Sequence, residues 1–364
     1  MIKMTHSDAS NRMLKSTVAV VIPAYRVRDH ILNVISAIGP EVTRIFVVDD
    51  KCPEGSGRLA EEEAQDPRLK VLYNTENLGV GGAVMVGYRE ALSEGLDIAV
   101  KIDGDGQMDP SLISNFVGPI DRGMADYCKG NRFFSSAALS KMPLARLVGN
   151  AGLSFLTKAS SGYWNLLDPT NGYTAIHLKV AATLEMSQIS NRYFFESDLL
   201  FQLGKVRARV IDIPIVSLYG REESNLKISN VAFEFGYRNL RNTVKRIAYS
   251  YFVRNFSLAS IALMSSIPLL VLGAGSALAI GVSANLSHVP ASTGAIVTTA
   301  LLLIFGFQLL LLFLAEDVAS TPSVPIHLLL SDLPMVALRQ NYPSRQISML
   351  TSSVAPDQNS DASE

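Results

Sequence analysis

The sequence contains few of the residues that identify several common classes of protein. Only two cysteines, Cys52 and Cys128, occur among its 364 residues, and they match no metal-site spacing, so we expect a reducing compartment. The formal net charge is −1, which gives no overall positive field, and we expect no nucleic-acid partner. Residues 1–16 are polar and lack the apolar run of a signal peptide, so no cleaved leader is predicted.

Charged side chains are also absent from one long part of the chain. No Asp, Glu, Lys or Arg lies between Arg254 and Glu316, and the mean hydropathy of the whole chain, +0.23, is high for a soluble protein. Residues 256–282 and 293–315 form two apolar runs, each long enough to cross a hydrocarbon layer of about 30 Å. Residues 283–292 predict a turn between them. We therefore predict a hairpin of two transmembrane helices; the alternative is a buried helical hairpin in a soluble core.

The distribution of positive charge predicts how this hairpin is oriented. The segment before the first run is basic and the turn between the runs is uncharged, which is typical of a cytoplasmic flank. We therefore expect a multi-pass protein of the cell inner membrane, with the N-terminal domain (residues 17–228) and the tail (residues 316–364) in the cytoplasm. The end of that tail is rich in Ser and Asp, which predicts disorder. The basic residues of the flank are Arg238, Arg241, Lys245, Arg246 and Arg254.

Residues 229–255 predict a basic amphipathic helix next to the membrane. Six apolar residues recur at the three- and four-residue spacing of one helix face, with basic residues between them. Such a helix can lie on the anionic inner leaflet, or it can pack on the N-terminal domain, and the sequence leaves both arrangements open. The six residues are Phe233, Tyr237, Leu240, Val244, Ile247 and Tyr251.

Strand-like and helix-like segments alternate through the N-terminal domain. Apolar runs at 17–22, 44–48, 69–73 and 98–102 are separated by helix-like segments at 29–38, 57–65 and 81–93. This order predicts an α/β fold with a mostly parallel sheet and helices on both faces. In such sheets, ligands bind at the carboxyl ends of the strands. The residues that follow each strand are therefore the candidates for function.

Glycine is missing from the position where a dinucleotide-binding fold needs it. The first strand is followed by PAYRVRD, which contains no glycine, and the glycine-rich NLGVGGA comes only after the third strand, at 77–83. The sequence has no P-loop pattern either. These absences disfavour NAD binding and P-loop nucleotide binding.

Two acidic residues after the fourth strand give the strongest functional signal. Asp103 and Asp105 lie in DGDGQ, and in an extended chain two side chains at this spacing point to the same side. A nucleoside diphosphate that leaves a sugar gains negative charge, which a divalent cation held by oxygen ligands offsets. One carboxylate can bind such a cation while the other binds a ribose. A solvated turn is the alternative, which the position after a buried apolar strand disfavours.

The motifs PAY, VVDD, NLGVGGA and DGDGQMDP together resemble the inverting GT-A glycosyltransferases of family 2, over roughly residues 18–227. The best match is the polyprenyl-phosphate branch, which includes dolichol-phosphate mannose synthases and bacterial undecaprenyl-phosphate glucosyltransferases. The resemblance implies a GT-A nucleotide-sugar-binding fold, a ribose contact by Asp103, and binding of Mg²⁺ or Mn²⁺ by Asp105 and Gln107. It also implies that the donor nucleotide sugar contacts residues at the ends of the first three strands: Pro23, Ala24, Tyr25, Asp50, Asn77, Gly79 and Gly81.

Downstream segments resemble the same branch and imply an acceptor site. GNRF at 130–133 is similar to a signature of the branch, in which Arg132 and Arg146 would hold the acceptor phosphate with their planar guanidinium groups. The alternative is that both arginines pair with carboxylates at the surface. Asp168 opens DPTNGY, which is similar to a segment facing the acceptor, and Asp198 stands near the acidic pair of the family. YGREES at 219–224 resembles a late active-site loop that usually ends in GESK.

The nature of the acceptor decides what the acidic residues must do. A phosphate is already ionised at neutral pH and needs positioning more than deprotonation, so Asp168 and Asp198 can be catalytic, orienting or structural. We predict an inverting, metal-dependent transfer of a sugar from a nucleotide-diphosphate sugar to a membrane polyprenyl phosphate. The alternatives are a non-processive glycosyltransferase acting on a lipid-linked or cell-surface glycan and a catalytically silent membrane scaffold. The donor sugar and the existence of a homo-oligomer are left open.

Overall fold

The computed structural model describes residues 14–134, 144–215 and 228–330, and for residues 144–148, 150 and 228–232 it describes the backbone alone. The N-terminal domain is built on a seven-stranded sheet in the order β3-β2-β1-β4-β6-β5-β7. Strand β6 runs antiparallel to both of its neighbours, and the other pairs are parallel. The strands are β1 (Val18–Ala24), β2 (Arg44–Asp49), β3 (Leu69–Tyr73), β4 (Ile98–Lys101), β5 (Tyr127–Asn131), β6 (Thr174–His177) and β7 (Val210–Pro214).

Helices connect these strands and extend the chain beyond the sheet. The predicted α/β fold with a mostly parallel sheet, followed by a helical hairpin, is confirmed, and β1 to β4 lie within two residues of the predicted runs. The helices are α1 (Ile31–Ser36), α2 (Ser56–Glu63), α3 (Val80–Ser93), α4 (Ile113–Asp121), α5 (Leu144–Ser161), α6 (Leu178–Ala181), α7 (Phe195–Val206), α8 (Ile228–Ala248), α9 (Leu258–Ser287) and α10 (Thr293–Ala319). A π-helical segment, Tyr249–Arg254, follows α8.

Strand β1 shows why the centre of the sheet is buried on both faces. Val18, Val20 and Ile22 pack into the core on the side of α1 and α4, whereas Ala19 and Val21 pack on the side of α3 and α7. All five side chains are fully buried. Burial of each valine or isoleucine contributes about 1.5–3 kcal/mol. A central parallel strand therefore needs the unbroken apolar run that the sequence has here.

Helices α9 and α10 form an antiparallel hairpin whose apolar side chains face outward. Only 6% of the most apolar part of α9 and 17% of that of α10 is buried, which does not fit the alternative of a hairpin inside a soluble core. The helices approach closely at two glycines, because a Cβ at Gly273 would lie 2.8 Å from Leu303 and one at Gly306 would lie 2.9 Å from Leu270. Helix α9 extends five residues beyond the predicted boundary, to Ser287, so the connecting turn is shorter than expected.

Helix α8 packs on the N-terminal domain through its polar face. Asn242 donates to Asp198 at 2.8 Å, and Asn239 accepts from the Ser160 hydroxyl at 2.7 Å. Both asparagines are buried. Four residues of the predicted apolar stripe are instead 60% or more exposed, namely Phe233, Tyr237, Leu240 and Val244. The helix thus contacts the domain, as one alternative expected, but it leaves its apolar stripe on the outside.

A buried ion pair joins the hairpin to the domain. Asp317, near the end of α10, accepts two hydrogen bonds from Arg246 of α8, at 2.7 and 2.9 Å. The Tyr251 hydroxyl and the Trp164 indole N–H donate to the same carboxylate at 2.6 and 2.9 Å. Because Asp317 is buried, removal of Arg246 would leave an uncompensated charge. This joint fixes the orientation of the hairpin relative to the sheet.

The chain after α10 returns to the domain and packs on its surface. Asp126 is fully buried and accepts the backbone N–H groups of Ile326 and His327, each at 2.9 Å. The His327 ring stacks on His177 with centroids 4.4 Å apart. The first part of the predicted tail is therefore part of the fold, and residues 331–364 lie outside the described part.

Candidate active site

The carboxyl ends of β1, β2 and β4 lie side by side at one edge of the sheet. Strand β1 pairs in parallel with both neighbours, and Ala24 lies opposite Asp49. Among the residues of the PAY motif, Ala24 is buried and Pro23 half-buried, whereas Tyr25 is 42% exposed. The Tyr25 ring is thus the part of this motif that can stack against a planar ligand.

Asp50 anchors the loop that follows β3. One carboxylate oxygen accepts from the Asn74 side chain and the Leu78 N–H, both at 2.8 Å, and the other accepts from the Gly79 N–H at 2.7 Å. The Asn77 side chain donates to the Asp50 carbonyl at 3.2 Å. These bonds give Asp50 and Asn77 a structural task, and their additional contact with the donor stays a prediction.

The glycines after β3 allow the chain at 190–192 to approach closely. The N–H groups of Gly81 and Gly82 donate to the Asn191 carbonyl at 2.8 and 3.1 Å. A Cβ at Gly81 would lie 2.5 Å from the Ser190 carbonyl oxygen, and one at Gly79, which has a φ of 86°, would lie 2.7 Å from that of Asn191. Close backbone packing therefore accounts for both glycines. Their predicted contact with the donor stays a prediction.

Lys101, the last residue of β4, is buried and binds Asp103. Its Nζ lies 2.8 Å from Oδ1 of Asp103 and 3.7 Å from Oε1 of Glu196, which is in the first turn of α7. Burial lowers the pKa of Lys101, but the two carboxylates outweigh this effect, so that the pKa lies above its usual value. A charged ammonium group therefore holds Asp103 in place.

The loop that carries Asp105 and Gln107 turns tightly beside the start of the first helix. Gly106 has a φ of 77°, which favours glycine, and a Cβ at Gly104 would lie 3.0 Å from Val27. The Gln107 N–H donates to Oδ1 of Asp105 at 3.0 Å. Asp105 is half-buried and Gln107 is exposed, so both lie at the surface of the strand-end edge.

The oxygen atoms of Asp105 and Gln107 fit a divalent cation whose coordination shell is completed by a bound ligand. A carboxylate and an amide oxygen are hard donors of the kind that Mg²⁺ and Mn²⁺ bind. Within the described residues, no group of three or more His, Cys, Asp or Glu could hold a metal. A cation at Asp105 and Gln107 would therefore take its other ligands from a bound diphosphate and from water, as Mg²⁺ commonly does.

Arg132, directly after β5, forms a two-pronged ion pair with Asp168. Nε of Arg132 lies 2.7 Å from Oδ2, and Nη2 lies 3.1 Å from Oδ1. Asp168 is fully buried, which raises its pKa, but the guanidinium outweighs this effect and holds the pKa below its usual value. The arginine does pair with a carboxylate, as the structural alternative expected, but that carboxylate is buried. The pair fixes the orientation of the Arg132 guanidinium.

The loop at 168–172 connects the Arg132 pair to Asp103. The buried Lys129 donates to the Asn171 carbonyl in the middle of this loop. At its end, a Cβ on Gly172 would lie 3.0 Å from Oδ2 of Asp103. The structure thus brings the predicted donor-side carboxylate and the predicted acceptor-side arginine to the two ends of one short loop.

Two more ionisable groups lie close to this loop. Burial lowers the pKa of Lys129 to about 8 and raises that of Asp212 to about 6. Oδ2 of Asp212 accepts from the Leu167 N–H at 2.8 Å, whereas its Oδ1 has no hydrogen-bond partner among the described residues. The charge around Asp168 therefore changes with pH near neutrality.

Asp198 is bonded to α8 and to the segment before α7, and not to the residues around Asp103. It accepts from Asn242 at 2.8 Å and from the Ser190 N–H at 3.1 Å, and burial raises its pKa. Glu196, two residues earlier, is the acidic residue of FESD that approaches Lys101. A catalytic role of Asp198 stays a prediction.

Two predicted parts of the site cannot be placed. Arg146 belongs to α5, but its side chain lies outside the described part. The segment at 219–224 also lies outside the described residues. The roles implied for both stay predictions.

Sequence reasoning missed Lys101 and Lys129 as residues of the site, and within FESD it selected Asp198 and not Glu196. Every residue of β4 and of β5 is buried, including the two lysines. A lysine within a strand that has no exposed face needs a buried partner of opposite charge. That rule could have directed attention to acidic residues elsewhere in the chain, although it could not have identified Glu196.

The strand-end carboxylates on a mostly parallel α/β sheet are those expected of a nucleotide-sugar transferase, and comparison with known proteins identifies the family. Residues 19–184 match the sequence profile described as Glycosyl transferase family 2. The polyprenol monophosphomannose synthase of Mycolicibacterium smegmatis is 31% identical over 208 residues, which cover 54% of this chain and 75% of that protein. The chain belongs to glycosyl transferase family 2, and the predicted glycosyltransferase class is confirmed.

Another sequence relative agrees with the predicted branch. The UDP-N-acetylglucosamine–dolichyl-phosphate N-acetylglucosaminyltransferase of Methanococcus voltae is 29% identical over 237 residues, covering 61% of this chain and 94% of that protein. Among solved structures, glucosyl-3-phosphoglycerate synthase from Mycobacterium tuberculosis, in complex with Mn²⁺, UDP and glucosyl-3-phosphoglycerate, has a TM-score of 0.49 and 18% identity. That match covers 68% of this chain and 85% of the other. The similarity to polyprenyl-phosphate sugar transferases is thus confirmed at the level of sequence relatives.

Proposed function

We propose that the protein transfers a sugar from a nucleotide-diphosphate sugar to a membrane polyprenyl phosphate, with inversion at the anomeric carbon. The observation that carries this proposal is the loop at 168–172, which comes close to Asp103 at one end and holds Arg132 through Asp168 at the other. A donor bound at the strand ends and a phosphate bound by Arg132 would be neighbours. The names of the sequence relatives in the polyprenyl-phosphate branch support this acceptor.

The reaction requires one bond to form as another breaks. A phosphate oxygen of the acceptor attacks the anomeric carbon, and the nucleoside diphosphate leaves with the electron pair of the broken C–O bond. Asp103 orients the ribose, and Tyr25 stacks against the base. A divalent cation, held by Asp105 and Gln107 together with the diphosphate, would supply charge compensation for the leaving group. Arg132 positions the acceptor phosphate with its planar donors.

The state of the two predicted catalytic carboxylates, Asp168 and Asp198, favours a phosphate acceptor over a sugar hydroxyl. A hydroxyl nucleophile needs a carboxylate that is placed to remove its proton. Asp168 is occupied by Arg132 and Asp198 by Asn242 and Ser190, so both predicted catalytic carboxylates are held in structural pairs. A phosphate is already ionised and needs no such base, which is consistent with this arrangement.

The proposed location is a cell inner membrane, with the catalytic domain on the cytoplasmic side. Helices α9 and α10 would span the bilayer, and the exposed apolar stripe of α8 would lie in its surface. This arrangement would bring the site to the level at which a polyprenyl phosphate presents its head group.

The experiment that tests the acceptor uses the purified full chain in vesicles and a panel of labelled nucleotide sugars. We expect one or more donors to label the lipid fraction only when undecaprenyl phosphate and a divalent cation are both present. Vesicles with undecaprenol, which lacks the phosphate, are the matched control. Transfer to a glycolipid or glycan acceptor, with none to undecaprenyl phosphate, would replace the proposal by the alternative glycan reaction.

A further inference from the structure

A polar cavity of about 550 Å³ lies where the catalytic domain, the segment after α8 and the end of α10 meet. The domain contributes Arg207, which follows α7, and the π-helical segment contributes Arg254. Ser320, at the end of α10, lines the third side. The cavity is therefore built from three separate parts of the chain that the Asp317 joint holds together.

The guanidinium groups of Arg207 and Arg254 are oriented by hydrogen bonds that do not neutralise them. Nη2 of Arg207 donates to the Ser320 carbonyl at 2.9 Å, and Nη1 of Arg254 donates to the Lys205 carbonyl at 2.7 Å. Each group keeps a full positive charge and N–H donors beyond that one bond. Arg246 also lines the cavity, but Asp317 compensates its charge. Glu316 in the wall offsets only part of the remaining charge, so the cavity suits an anion.

The position of the cavity indicates what kind of anion it meets. Its wall includes Ser257, the residue before α9, and Ser320, the residue after α10, so it lies at the level where the hairpin would enter the bilayer. Phe252, Val253 and Phe256 close by in the chain are 40%, 76% and 62% exposed. These side chains would lie among acyl chains while the arginines face the head groups.

The cavity is separate from the proposed active site. Glu196 approaches Lys101 from the first turn of α7, whereas Arg207 follows the last turn of the same helix. At the rise of an α-helix, eleven residues separate the two by about 16 Å. A nucleotide sugar at the strand ends would therefore not fill the cavity.

We propose that this cavity binds the head group of an anionic membrane phospholipid. The lipid phosphate contacts Arg207 and Arg254, and the acyl chains lie along the exposed apolar residues between α8 and α9. The proposal depends on the membrane location proposed above, but it does not depend on the transfer reaction. It predicts a lipid that stabilises the joint between domain and hairpin without being consumed.

The test is a titration of the delipidated full chain in detergent, followed by native mass spectrometry. We expect one phosphatidylglycerol per chain to bind at least about 10-fold more tightly than phosphatidylcholine, because the choline cation offsets the charge of the phosphate and would lie beside two arginines of like charge. The variant Arg207→Asn/Arg254→Gln should lose this preference; asparagine is chosen because Arg207 has a φ of 60°. Arg241→Gln/Lys245→Gln is the matched control, because it removes two exposed cationic groups of α8 that do not line the cavity.

Three results would overturn the proposal. One is equal binding of the two phospholipids by the unaltered chain, a comparison that requires no variant to fold. Another is an equal loss of preference in the cavity variant and the control, which would indicate general charge attraction. The third is complete displacement of phosphatidylglycerol by inorganic phosphate, which would make the cavity a site for a free anion. Since no nucleotide sugar is present, a failed transfer reaction cannot produce any of them.

Discussion

At the scale of single residues, Arg132 has two tasks, because it neutralises the buried Asp168 and is proposed to bind the acceptor phosphate. Arg132→Ala should leave a buried carboxylate unpaired and lower the free energy of unfolding by about 3–5 kcal/mol. Arg132→Ala/Asp168→Asn removes both charges and should recover most of that loss. Both variants should lose about 10- to 150-fold in kcat/KM for the polyprenyl phosphate. Thermal unfolding and initial rates at varied acceptor concentration measure the two effects separately.

The double variant decides whether Arg132 contacts the acceptor. If it regains normal kcat/KM for the acceptor, Arg132 acts only through Asp168 and the assignment is contradicted. Arg132→Lys is a further control, since an ammonium group keeps the charge near Asp168 but lacks the planar pair of donors. It should unfold at a higher temperature than Arg132→Ala and still use the acceptor poorly. Binding of metal and nucleotide should be unchanged in all three variants.

Lys101 offers a test on the donor side. Lys101→Met has a similar length but leaves Asp103 and Glu196 without their shared cation, so Asp103 should no longer be held for the ribose. We expect the affinity for the nucleoside diphosphate, measured by calorimetry, to fall at least about 10-fold, or about 1.4 kcal/mol. Glu196→Gln retains the bond between Lys101 and Asp103 and should have a smaller effect. A folded Lys101→Met variant with normal nucleotide affinity would show that Asp103 does not need the lysine.

Sequence reasoning located the residues that end strands but not the partners that hold them. Asp103 and Asp105 were found because they follow a buried apolar run. The bond from Arg132 to Asp168 spans 36 positions, and Gly81 meets Asn191 across more than 100. Such partners depend on how distant segments pack, which no local pattern records. For the same reason, the packing of the glycines after β3 against 190–192 could not be predicted from the sequence, and their contact with the donor stays a prediction.

At the scale of secondary structure, the sequence predicts the strands whose central residues are apolar. In β1 to β4, charged residues lie only at or next to the strand ends, whereas β5 has Lys129 and β7 has Asp212 in the middle of the strand. These charged residues lower the apolar signal of two strands that nevertheless belong to the sheet. The packing of α8 through its polar face could not be predicted either. Periodicity identifies the apolar face of a helix but not the surface against which the helix packs.

Helix α8 can be tested by the environment of its two faces. Spin labels at positions 240 and 244, in a chain with Cys52 and Cys128 replaced by alanine, should contact lipid in reconstituted vesicles. Labels at positions 241 and 245 should contact water, because they lie between the stripe residues. Relaxation by oxygen, which enters lipid, and by a water-soluble nickel complex reports the two environments. Equal exposure to the nickel complex at all four positions would contradict the surface-lying helix.

At the scale of the whole molecule, the catalytic domain and the hairpin form one unit. The bond from Arg246 to Asp317 spans 71 positions, and those from Asp126 to the segment after α10 span about 200. The apolar runs and the basic flank predicted a hairpin and its orientation, whereas these long-range bonds could not be read from composition. Because these bonds join the hairpin to the domain, the orientation of the hairpin in the membrane determines the side on which the active site lies.

The orientation itself can be measured in intact cells. A single cysteine at position 289, in the turn between α9 and α10, should react with an impermeant thiol reagent added from outside, because the basic flank keeps the domain inside. A cysteine at Lys15 should react only after the cells are opened. The reverse pattern would place the catalytic domain outside the cytoplasm and contradict the proposed topology.

The most direct test of the central claim is the product formed by the purified chain and by its Asp105→Ala variant in vesicles containing undecaprenyl phosphate. Mass spectrometry of the lipid fraction should show a sugar linked through phosphate to the polyprenol when the chain is given its nucleotide sugar and a divalent cation. Asp105→Ala should reduce the initial rate at least about 100-fold, the scale expected when a main source of charge stabilisation is lost. The claim is contradicted if no sugar–phosphate–polyprenol forms with any nucleotide sugar, or if the variant matches the unaltered chain in saturating Mn²⁺.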